Sequence, residues 1–174
     1  MNINDSPKLI QYAFFTAIAT TVYFVESIAV RALPLPFLRI GLANVIIVYL
    51  LMQRRYGFAF VVNILKTLIG GLFSFTLMSP ATLLSISGGI GAFLIMWLLL
   101  VSRINFSVIG ISIAGAVVHN IIQLLCVRWV IIPRNSVFNL MPLLILIGIG
   151  TGFVTGIIAH ELSKRLRGNP ICES

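Results

Sequence analysis

Six runs of roughly twenty mostly apolar residues, joined by short connections, constrain this chain more than anything else in it. A helix needs about 20 such residues to cross the hydrocarbon core of a bilayer. The runs Leu9 to Val30, Leu33 to Met52, Gly57 to Met78, Thr82 to Val101, Ser107 to Ile132 and Val137 to Leu162 each meet that length. No connection has room for a soluble domain. The expected fold is therefore all-α: an integral membrane protein with six transmembrane helices in a single domain over residues 1–174. Composition points the same way, with 59% hydrophobic residues, 9% charged residues and a mean hydropathy of +1.10. A globule of this length could not bury so much apolar surface and still present a wettable exterior. The first run starts near Leu9 and exceeds the core of a signal peptide, so it is expected to remain as a membrane helix.

The formal charge of +8 would suggest nucleic acid in a soluble protein. Here much of it falls at the ends of apolar runs, where Lys and Arg set orientation, and no nucleic-acid partner is expected. With the N-terminus inside, Lys8, Arg54, Arg55, Arg103, Lys164, Arg165 and Arg167 are cytoplasmic, against Arg31 and Arg134 outside. Both termini are then cytoplasmic, as an even number of spans requires. Cys126 and Cys172 are too few for a disulfide framework and lack zinc-ligand spacing.

Within this apolar frame a few polar residues are out of place. Charged and amide side chains are costly at membrane depth and usually line a cavity or pathway where they persist. Arg39 and Asn44 fall in the outer half of the second run, Lys66 near the middle of the third, and Ser85 and Ser87 at the start of the fourth. His119, Asn120 and Gln123 lie near the centre of the fifth, with Arg128 beyond, and Glu26 lies near the outer end of the first. Helical spacing sharpens the pattern. Thr16, Thr20, Tyr23 and Ser27, with Glu26 beside them, form one stripe; Asn63, Lys66, Thr67, Gly70 and Ser74 form another; Ser112, Ala116, His119 and Gln123 form a third. Ala13 and Ala17 make a small-x-x-x-small pair on a neighbouring face of the first helix, suited to a partner helix.

Each of these has a plainer reading. Lys66 is about 14 Å from the inner end of its run, which strains the reach of a snorkelling side chain, but it could still be a structural lysine bonded to helix-end carbonyls. Arg39 could be a headgroup anchor, and Glu26 could neutralise Arg31 or Arg39. His119, Asn120 and Gln123 could be interhelical glue, worth about 0.6 kcal/mol per contact. Gly88-Gly89-x-Gly91 and Gly148-x-Gly150-x-Gly152-x-x-x-Gly156 read as close-packing surfaces rather than phosphate loops. No metal or other cofactor is expected, since His160, the other histidine, lies at the opposite end of the membrane. Catalysis is not expected either: the carboxylates Asp5, Glu26, Glu161 and Glu173 are too scattered for diphosphate–magnesium chemistry, and there is no P-loop.

The succession Glu26-Ser27, Pro34-x-Pro36, Arg39-Ile-Gly-Leu-Ala-Asn44, Leu84-Ser85-Ile-Ser87-Gly88-Gly89 and Gly110-x-Ser112-x-x-Gly115-Ala116-x-x-His119-Asn120-x-x-Gln123 resembles the bacterial Gx transporter family. Its members are also labelled heptaprenyl diphosphate synthase component I. The resemblance covers roughly Val22 to Leu166. Arg39 and Ile40 stand where the family commonly has Lys-Leu, and Ser87 stands where Ala is more usual. That family is similar to the S components of energy-coupling factor (ECF) transporters, which implies an S-component-like bundle in the bacterial cytoplasmic membrane with a pocket open to the outside. It further implies a transmembrane coupling subunit and two ATPase subunits as partners, with Ala13 and Ala17 matching the Ala-x-x-x-Ala pair that meets the coupling subunit.

The expected function is capture of a small molecule for ATP-driven uptake, with Glu26, Arg39, Asn44, Lys66, Ser85, His119, Asn120 and Gln123 as substrate-binding candidates. Arg39, Lys66 and Arg128 outnumber Glu26, which favours an anionic or carboxylate-bearing substrate. The alternative is a non-transporting accessory protein of prenyl diphosphate or quinone metabolism.

Overall fold

The computed structural model describes residues 6–31, 41–102, 104, 106–131 and 135–166. Within them run six α-helices: α1 (Ser6–Arg31), α2 (Asn44–Met52), α3 (Tyr56–Phe73), α4 (Pro80–Val101), α5 (Val108–Cys126) and α6 (Met141–Leu166). Five segments, all but α2, are long and apolar enough to cross a membrane. The distribution of side chains is inverted relative to a water-soluble protein. Ile10, Phe14, Leu72, Leu83, Leu98 and Leu146 are exposed, whereas Glu26, Asn63, Lys66, His119, Asn120 and Gln123 are buried. That is the pattern lipid selects, because an apolar solvent leaves polar groups no partners except one another. The chain is an all-α, multi-pass membrane protein.

At the centre is α2, apolar all round, with every residue from Val45 to Leu51 buried. A helix without a polar face belongs in a core. It packs against α3, α4 and α6, and Phe15 and Ala19 of α1 and Phe58 and Val62 of α3 join its cluster. Of the expected second span, residues 44–52 form the helix; Arg39 lies outside the described residues, as do Arg103, Arg134 and Cys172.

The other boundaries moved for local reasons. The third span was expected to reach Met78, but α3 stops at Phe73. Phe75 takes the left-handed conformation (φ 54°), its N–H donates to the Leu72 carbonyl and the Thr76 N–H donates to the Gly71 carbonyl, which closes the helix in a Schellman turn. Arg54 (φ 57°) ends α2 in the same way. Pro80 occupies the first turn of α4, and the Ser107 hydroxyl accepts the Gly110 N–H to cap α5. Beyond Cys126 the backbone widens into a π-helical turn, Val127–Ile131, and α6 is entered through the 3-10 turn Asn135–Leu140.

The glycines act as close-packing surfaces where α5 meets α6. A Cβ on Gly152 would lie 2.5 Å from Ile113 Cα, one on Gly156 would lie 2.8 Å from Ile109 Cα, and one on Gly148 would lie 3.0 Å from Val117 Cα. These contacts are backbone to backbone, so a side chain has nowhere to go. Gly150 differs: it has open space around it.

Candidate functional site

Four of these helices bring polar side chains to one small cavity of about 20 Å³, and α2 with the residues just before it supplies the rest. Tyr23 and Glu26 come from α1, Lys66 and Thr67 from α3, Ser85 from α4 and His119 from α5. Gly41 and Asn44 close it at the start of α2. Lys66 is the eleventh residue of the 18-residue α3 and only 4% exposed, so its ammonium is held well away from either end of the helix. Its Nζ donates to Asn44 Oδ1 at 2.6 Å. Glu26 accepts the Gly41 N–H, and Gly41 adopts φ +77°, a conformation open to glycine at little cost. Two hydrogen bonds thus tie the beginning of α2 to a carboxylate on α1 and an ammonium on α3.

Glycines set the cavity walls. A Cβ on Gly89 would lie 3.3 Å from the Asn63 amide, and one on Gly88 would lie 3.1 Å from the His119 ring and 3.0 Å from Gln123 Cγ. Close approach of α4 to α3 and α5 is what leaves room for these polar side chains in the interior. A second cavity of about 10 Å³ shares Gly41, Asn44 and His119 with the first and continues between α5 and α6 to Ser112, Asn120, Thr151 and Thr155. Along this seam Asn120 Nδ2 donates to the Leu144 carbonyl at 2.9 Å, and the Ser112 and Thr155 hydroxyls lie 2.7 Å apart. Each space is of the order that holds one water molecule.

Of the candidates from the sequence, Glu26, Asn44, Lys66, Ser85 and His119 come together, and Asn120 joins them across the shared wall. Gln123 is buried against Gly88 and lines neither cavity. Arg128 is placed elsewhere: its guanidinium lies over the rings of Trp129 (5.5 Å) and Phe138 (5.6 Å). Thr16 and Thr20 also differ from expectation. Both are buried, yet they share with Ala13 and Ala17 an open groove of about 810 Å³ between α1 and α3, while farther along α1 the Tyr23 ring packs onto Gly70. Thr151 and Thr155 were missed. Their signal was the four-residue spacing shared with Gly148, Gly152 and Gly156, taken as packing alone.

The family model of heptaprenyl diphosphate synthase component I, which also carries the Gx transporter label, matches residues 15–162. The chain belongs to this family. No curated protein and no solved structure matches it. Residues 15–162 include every residue that lines the two cavities.

Proposed function

We propose that this chain is the substrate-binding S component of an ECF-type uptake transporter in the bacterial cytoplasmic membrane, taking a small anionic or carboxylate-bearing metabolite. The observation that carries the reading is Lys66, a buried ammonium near mid-helix in a polar cavity built from separate helices. Burying an ammonium costs several kcal/mol, and an anionic ligand is the kind of group that stabilises one at such a depth. We propose no catalytic role, because among the described residues Glu26 is the one carboxylate that lines the cavity and prenyl transfer through magnesium calls for several. The reading is tested by co-expressing the chain with a coupling subunit and two ATPase subunits and measuring ATP-dependent uptake into vesicles.

The reading requires an orientation. With both termini cytoplasmic, a Cys introduced at Gln53 should be protected from an impermeant maleimide in intact cells, and one at Asn135 should be labelled. The reverse pattern would put the cavity nearer the cytoplasm and remove the uptake argument.

It also requires a docking face, and the groove holding Ala13 and Ala17, both exposed, suits a coupling-subunit helix. Ala13→Trp or Ala17→Trp should cut co-purification of the coupling subunit at least about tenfold while leaving ligand binding intact. Ala17 is nine residues before Glu26, about 14 Å along α1. Loss of binding with an intact complex would reverse the assignment of the two surfaces.

A further inference from the structure

Among the described residues that line the cavity, the formal charges are the Lys66 ammonium and the Glu26 carboxylate, with the His119 imidazole beside them. With Arg128 committed to Trp129 and Phe138, one ammonium (Lys66) and one carboxylate (Glu26) face the same enclosed space. Each is met by a group from one short stretch of chain. Gly41 offers an N–H to Glu26, and Asn44, three residues later, offers a carbonyl oxygen to Lys66. The start of α2 therefore presents a donor and an acceptor to a paired anion and cation, and the remaining space is about 20 Å³.

We infer that residues 41–44 occupy the place of the ligand's two polar ends, and that the ligand is a small zwitterion whose carboxylate replaces Asn44 Oδ1 on Lys66 and whose ammonium replaces the Gly41 N–H on Glu26. This rests on the capture reading above and narrows it from carboxylate-bearing molecules to those that also carry a charged N–H donor. The exchange puts a charged partner in place of a neutral one at each buried charge, and an ion-to-ion hydrogen bond is stronger than one from a neutral amide. A plain carboxylate would satisfy Lys66 but strand Glu26 once the start of α2 moved away. An unpaired buried carboxylate is the more costly outcome.

The test uses the full chain in detergent and thermal stabilisation by three sets of probes: α-, β- and γ-amino acids, the matching carboxylates without the amine, and the matching amines without the carboxylate. At least one amino acid should bind, at least about tenfold more tightly than its desamino partner, the discrimination expected of a charge-assisted hydrogen bond. Glu26→Gln still has a carbonyl to accept the Gly41 N–H and should fold, and it should bring that discrimination below about threefold. Lys66→Met should lose both the amino acid and the plain carboxylate, with Lys66→Arg as the charge-retaining comparison if Met perturbs the fold. Tighter binding of plain carboxylates, or undiminished discrimination in Glu26→Gln, overturns the inference and leaves the capture reading standing. Binding of no probe in any set also overturns the inference, and ATP-dependent uptake by the co-expressed complex then decides the capture reading separately.

Discussion

Lys66→Met should weaken binding of an anionic ligand that co-purifies with the parent protein by at least about 30-fold, the equivalent of about 2 kcal/mol. Methionine keeps most of the unbranched stem, so the space among Asn44, Thr67 and His119 stays filled and the lost quantity is the charge. Stability should hold or rise, because the variant no longer buries an ammonium in the bundle. Native mass spectrometry of the purified protein gives the occupancy, and thermal unfolding in detergent gives the stability. Retained occupancy would show that Lys66 is a structural lysine satisfied by Asn44, and the proposed site would fall with it.

Gly152→Val is the largest stability effect expected. A Cβ at this position would lie 2.5 Å from Ile113 Cα and 3.0 Å from the Ser112 carbonyl oxygen, so α5 and α6 would have to separate along their whole seam. Overpacking against a rigid backbone costs about 3 kcal/mol or more. It would also break the Ser112–Thr155 and Asn120–Leu144 hydrogen bonds. Gly150→Ala, two residues away in open space, should stay within about 0.5 kcal/mol of the parent. Equal melting temperatures for the two variants would mean that the seam is not packed as described.

Much of this architecture could be read directly from the chain. Apolar runs fix how many helices can lie in lipid, and residues such as Lys66 and His119 stand out because lipid offers them nothing. The periodicity of Gly88, Gly89 and Gly148 to Gly156 likewise announced close packing. Partner choice was less legible. Whether Lys66 meets Asn44, and whether Asn120 turns to Leu144, depends on where helices cross, and hydropathy is blind to that. Helix ends were hidden for a related reason: Phe75 is apolar and continues the pattern of α3, yet its backbone turns left-handed and stops the helix. Gly41 was similarly quiet. It sat unremarked inside Arg39-Ile-Gly-Leu-Ala-Asn44, although its conformation is what aims an N–H at Glu26.

The Schellman turn at Phe75 has a consequence for the bilayer itself. By stopping α3 after 18 residues it leaves a helix about 27 Å long beside α4, whose 22 residues reach about 33 Å. The two therefore match acyl chains of different lengths. At one end of α3 Arg54 is exposed, as suits a headgroup layer, and Arg55 donates to Gln11 Oε1, while Phe73 and Phe75, both exposed, favour hydrocarbon at the other. Longer lipids load this mismatch onto α3, at a fraction of a kcal/mol per Å. That load acts on the helix that carries Lys66. Ligand affinity in nanodiscs should therefore shift several-fold between phosphatidylcholines with 14-carbon and 22-carbon chains, which would make membrane composition a second input to the site.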